Sequence, residues 1–99
     1  MDGGALTADS EGLRTVWRRA DSVYEARPGK PEREVATGKN PTAAGSWTAW
    51  TNGEGLHVVN AGGMERTMKG AFPALAEIDG GRAVLAYEAG GRIVTDTLR

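Results

Sequence analysis

Apolar residues in this chain never recur at 3.6-residue spacing over any window of 11, so the pattern predicts no helix. They come instead in short branched or aromatic runs, cut by glycine and polar turns, which is the signature of strands. The last third is the clearest. Pro73 to Ile78 reads as a strand A, Asp79-Gly80 as a hairpin turn, and Arg82 to Glu88 as a strand B. Gly90-Gly91 turns the chain again, and Arg92 to Leu98 is a strand C. Ala83 to Tyr87 is apolar at every position, as expected of a strand covered on both faces. In strand C, Ile93, Thr95 and Thr97 fall on one side.

This unit is repeated. Trp17 is followed after five residues by Val23, Trp50 by Leu56, and Tyr87 by Ile93, so an aromatic, a polar or glycine-bearing quintet and a branched residue recur three times. The aromatics are 33 and 37 residues apart. A second marker agrees, because Gly38-Lys39-Asn40-Pro41 and Gly70-Ala71-Phe72-Pro73 each place glycine three positions before proline, upstream of the aromatic. Fourth strands D are expected at Glu32 to Thr37, after the Pro28-Gly29 turn, and at Glu65 to Lys69, after Ala61-Gly62-Gly63. Pro41 lies nine residues before Trp50 but Pro73 lies 14 before Tyr87, so the A–B hairpin of the middle copy is shortened. The third copy stops after strand C. The reading is one all-β repeat domain over 1–99, with approximate units 4–38, 39–70 and 71–99.

A lone four-stranded antiparallel sheet cannot bury both faces and must stack on neighbours. Radial stacking of such sheets gives a β-propeller, usually of about 4–8 blades. Three units cannot close such a ring. The expectation is therefore an incomplete ring, finished by a second copy of the chain or by further sequence; collapse into a small barrel or sandwich is the other course. Phe72 to Ile93 resembles the blade consensus of bacterial sialidase-like (BNR-type) propellers, and Gly12 to Trp17 and Lys39 to Pro41 are similar to blades of that family. The resemblance spans nearly the whole chain but concerns structural residues. The family's Asp-box, S-x-D-x-G-x-T-W, has no match here.

Composition adds mostly exclusions. Fifteen glycines without a Gly-X-Y period fit many tight turns. The formal charge is −1 with acids and bases interleaved, which offers no basic run for nucleic acid. There is no cysteine, hence no disulfide, thiolate metal site or cysteine nucleophile. No apolar run approaches the roughly 20 residues of a membrane-spanning helix, and the first residues do not read as a signal peptide. The resembled family is often exported, and an exported form would need a longer precursor than this chain.

A sialidase-like site would require an arginine cluster for a carboxylate, a tyrosine nucleophile with a glutamate base, and an aspartate acid. Those residue types are present as Arg18, Arg82, Arg92, Tyr24, Tyr87, Glu88 and Asp96, but such a site draws on most blades of a ring. Tyr87 and Glu88 are adjacent on a strand and point to opposite faces, so Tyr87 reads as packing in the slot of Trp17 and Trp50. His57 has no second histidine or triad partner in the pattern, and Asp79 reads as a turn residue. Trp47, three before Trp50 and so on the opposite face, has no aromatic counterpart in the other copies. It reads as a candidate ligand or interface contact, or as filler beside the shortened hairpin. Arg18 and Arg19 are a second candidate contact, or a solvated turn flank. The function expected is a non-catalytic binding or interaction scaffold without cofactor or metal. Its expected partners are itself or the rest of a longer chain, and carbohydrate is a candidate ligand. The alternative is a fragment of a sialidase-like glycoside hydrolase completed by absent blades.

Overall fold

The computed structural model describes residues 3–79 and 81–99. The described residues form eleven strands in three separate antiparallel sheets, each a simple meander. The first sheet holds β1 (Gly4–Asp9), β2 (Gly12–Arg19), β3 (Ser22–Ala26) and β4 (Arg33–Thr37). The second holds β5 (Lys39–Ala44), β6 (Trp47–Asn52), β7 (Gly55–Asn60) and β8 (Glu65–Met68). The third holds β9 (Ala71–Asp79), β10 (Arg82–Ala89) and β11 (Arg92–Leu98). The all-β reading therefore holds, with sheets of four, four and three strands, none closed on itself.

The glycine-to-proline marker has a backbone cause. Lys39 pairs with Thr51 and Thr42 with Ala49, so Asn40 and Pro41 together face Trp50 in a β-bulge. Ala71 pairs with Glu88 and Ala74 with Ala86, which places Phe72 and Pro73 opposite Tyr87 in the same way. Asn40 and Phe72 both take φ +53 there. Proline has no N–H to offer the ladder, and a bulge is where that costs least. The glycine ahead of the bulge leaves room for the ring. A Cβ on Gly38 would lie 2.6 Å from Trp50 Cδ1, and one on Gly70 would lie 2.6 Å from Tyr87 Cδ2. In the first sheet Gly4 pairs with Trp17 directly.

The sheets stack in chain order and approach most closely along β1, β5 and β9, the first strand of each. The middle sheet is thus covered on both faces. Its forward face, toward the third sheet, carries Trp47, Ala49, Leu56 and Val58, which form one buried cluster with Ala83, Leu85 and Leu98. Its rear face, toward the first sheet, carries Thr48, Trp50 and His57. The same orientation holds in every unit, because the repeat aromatic always lies on the rear face. Tyr87 packs back onto the second sheet's cluster, and Trp17 lies on the side of the first sheet opposite buried Val16.

One expectation changes here. Strand β10 was expected to be covered on both faces, but only Ala83 and Leu85 are fully buried. Val84 and Ala86 on its forward face are half-buried, and Ile93 beside them is 74% exposed. Among the described residues no further sheet lies beyond the third. Strand A of the third unit also starts earlier than its apolar pattern, because Ala71 and Phe72 enter the ladder through the bulge. Of the Asp79-Gly80 turn, Gly80 lies outside the described residues; the Asp79 carboxylate accepts from Arg82 at 2.9 and 3.1 Å.

Candidate functional site

Aligning the units on their aromatics puts Arg14 and Trp47 at one repeat position, three residues before the aromatic and on the forward face. Each reaches into the A–B turn of the next unit. Arg14 Nε donates to the Gly45 carbonyl at 3.0 Å, and Trp47 Nε1 donates to the Gly81 carbonyl at 2.8 Å. Chemically unlike side chains thus make one connection, an N–H donated to a turn carbonyl of the next unit. Trp47 is 1% exposed, so its ring offers no face for stacking on a sugar and serves as an anchor between sheets.

Arg14 is the charged centre of a cleft of about 520 Å3 between the first and second sheets. Only 3% of it is exposed. Beyond Gly45 it donates to the Trp47 carbonyl at 2.7 Å, to Thr48 Oγ1 at 2.8 Å and to Glu25 at 3.3 Å. A guanidinium suits this task because its planar fork addresses several acceptors at once. Burial pulls the Arg14 pKa below its usual value, while Glu25 and Asp9 oppose that. Arg27 grips Asp9 with two bonds of 3.0 and 2.7 Å. That bond dominates Asp9, which against its burial is lowered from 3.8 to about 2. Arg27 is raised in turn by the same bond. Glu25 also meets Arg33 at 3.4 Å. Among the described residues no buried side-chain nitrogen or oxygen lacks a partner.

Such a cleft holds fixed, mutually neutralised charge. A carboxylate lowered to about 2 stays ionised near neutrality and is poorly matched to proton transfer there. What the cleft can do is present donors and acceptors at set positions, with Lys30 and Arg33 on its exposed rim.

The other sequence candidates are dispersed. Arg19 binds Glu32 through two bonds of 2.7 and 3.0 Å and lies 4.8 Å from the Tyr24 ring centroid. Arg18 donates to the Ala20 carbonyl at 2.7 Å. Trp17 stacks on Tyr24 with centroids 6.3 Å apart. Tyr87 donates to Asp96 at 3.3 Å, and burial first, then the Asp96 charge, raises its pKa. Glu88 faces Ile93 across the ladder on the opposite side, so Tyr87 and Glu88 share no pocket. His57 stacks 5.7 Å from Trp50, with Nε2 2.9 Å from Asn52 Oδ1 and Nδ1 3.1 Å from Thr67 Oγ1. Asn52 Oδ1 also accepts from the Glu54 N–H, so the His57 Nε2–H donates to it. Val23 and Leu56 are fully buried, while Ile93, their counterpart, is exposed. Among the described residues no group of three or more histidine or acidic side chains is placed to hold a metal ion.

The Arg14 centre has no local sequence signature, because its acceptors Gly45, Trp47 and Thr48 lie 31 to 34 residues further along the chain. Writing Arg14, Trp47 and Val84 in one column is the signal that would have exposed it. No protein-family model, curated protein or solved structure matches this chain.

Proposed function

We propose that this chain is a partial β-propeller of sialidase-like type, acting as a non-catalytic binding and interaction scaffold. The observation that carries this is the shared stacking rule. Two successive junctions place forward face on rear face, keep their closest approach along the first strands, and use the same repeat position to cap the next turn. A rule that repeats with fixed hand generates a fan of sheets about one axis, which is the propeller solution. The paired charges of the cleft support a binding role over proton-transfer chemistry, and a polar ligand such as a carbohydrate or an anionic group suits its rim.

The experiment is turnover of a fluorogenic sialoside by the purified chain. The scaffold reading expects none above buffer. Turnover that disappears in Tyr87→Phe would overturn it and restore the hydrolase reading.

A further inference from the structure

Two faces of the stack lack the cover that their counterparts have. The rear face of the first sheet shows Leu6 at 69% and Leu13 at 52% exposure, next to the Trp17–Tyr24 stack. Register equates Leu6 with Ala43 and Leu75, since these three face Thr15, Thr48 and Leu85 across their hairpins. Ala43 is buried and Leu75 is packed against the core. The forward face of the third sheet shows Ile93 at 74% and Ile78 at 49% exposure, around Ala74, Val84 and Ala86. Register equates Ile93 with Val23 and Leu56, both fully buried, and Ala86 with Val16 and Ala49, also fully buried. Each open face is therefore a copy of a surface that the chain already covers elsewhere.

The two faces are also matched to each other. At the internal junctions the forward face sends a donor into the next turn. At the third unit that position is Val84, which has no side-chain N–H, and on the first sheet the exposed Leu13 lies one residue inside β2, past the Ser10-Glu11 turn. The donor is thus replaced by an apolar side chain while the first sheet presents the exposed apolar Leu6 and Leu13, as surfaces that meet each other should show.

We infer that the forward face of the third sheet docks on the rear face of the first sheet of a second copy of this chain, and reciprocally, closing a ring of six sheets from two chains. The count selects the stoichiometry. One copy gives three sheets, and three copies give nine, outside the usual range of about 4–8; two copies give six. The pair is two-fold symmetric, and it closes because the axis places the forward face of each copy on the rear face of the other. The proposal rests on the propeller reading above for that count.

Light scattering on the purified chain tests it. The expected mass is about 21 kDa, twice the 10.4 kDa of one chain. A species of 10.4 kDa at about 100 μM, or an open series of higher masses, overturns the closed pair. Leu6→Lys and Ile93→Lys each alter one exposed residue and are expected to give a 10.4 kDa species with unchanged far-ultraviolet circular dichroism. A dimer that survives either change overturns the assignment of faces.

Orientation is read by crosslinking, for which a chain without cysteine is suited. Thr42 Oγ1 lies 3.4 Å from the Leu75 amide at the internal junction, and the matching positions at the new one are Ala74 and Leu6. Oxidised Leu6→Cys/Ala74→Cys protein is expected to form covalent dimers, and neither single variant is. Equal crosslinking by a single variant means like faces meet and overturns the head-to-tail arrangement. Sialoside turnover would overturn the scaffold reading whatever the mass, so the two failures are distinguishable.

Discussion

Replacing Arg14 should loosen the first sheet from the second while leaving the second on the third. The side chain is 3% exposed and makes three bonds across the junction, to Gly45, Trp47 and Thr48. In Arg14→Met the aliphatic volume is largely kept, and the carboxylates are not orphaned because Asp9 and Glu25 both retain Arg27. What is lost is the donor to three acceptors. Each abandoned acceptor costs roughly 1–3 kcal/mol when water cannot reach it. These border an open cleft, so the low end applies and the expected loss is about 3 kcal/mol. For a domain of this size that is a fall in melting temperature of roughly 12–24 °C. Arg14→Lys keeps the charge, but a single ammonium cannot serve the spread of acceptors, so more than half of the loss should persist. The assay is urea unfolding at one fixed protein concentration, since self-association would make stability concentration-dependent. A loss below about 1 kcal/mol in Arg14→Met would refute the claim that this guanidinium joins the two sheets.

Acid should reveal Asp9. Its carboxyl is lowered from 3.8 to about 2 in the folded chain, so its contribution is present above pH 3.8 and is lost as pH falls through about 2. The shift corresponds to about 2 kcal/mol, and Asp9→Asn should flatten the unfolding free energy measured between pH 4 and 2; an unaltered slope counts against the Arg27 clamp. Gly38→Ala would drive a Cβ to 2.6 Å from both the Thr51 carbonyl and Trp50, and should cost about 2 kcal/mol by urea unfolding. Gly53→Ala, with nothing within 4 Å, should change stability by less than about 0.5 kcal/mol; equal effects would remove the packing account of the glycine marker. Phe72 is 65% exposed yet held at φ +53, where a bulky side chain is strained, so Phe72→Asn should raise stability by about 1 kcal/mol in the same assay. A loss instead would show that the ring is covered in solution.

The strands were legible because turn chemistry and aromatic spacing are local. Asp79, Gly90-Gly91 and Pro28-Gly29 punctuate the chain wherever tertiary contacts place the sheets. Parity along a strand likewise put Trp47 opposite Trp50 and Tyr87 opposite Glu88. The bulges at Asn40-Pro41 and Phe72-Pro73 were seen only as a recurring glycine and proline, since a left-handed residue in a strand has no strong sequence signature when it is phenylalanine. Coverage of strand β10 was misjudged for a different reason. An apolar run reports what a face is suited to meet, and Val84 and Ala86 lie on a face that no further sheet covers among the described residues. Arg14 stayed hidden because an arginine in a strand looks like any surface arginine until its acceptors, 31 to 34 residues away, are brought to it.

The central claim is that the forward faces of the first and second units are each locked into the turn of the next, and the Trp47 indole tests it most directly. Hydrogen exchange of the three tryptophan indole N–H groups can be followed individually by NMR. Trp47, buried and bonded to the Gly81 carbonyl, should exchange slowest and at the rate of global unfolding, while half-exposed Trp17 exchanges fast. A Trp47 indole that exchanges as fast as that of Trp17 would contradict the stacking rule and everything built on it.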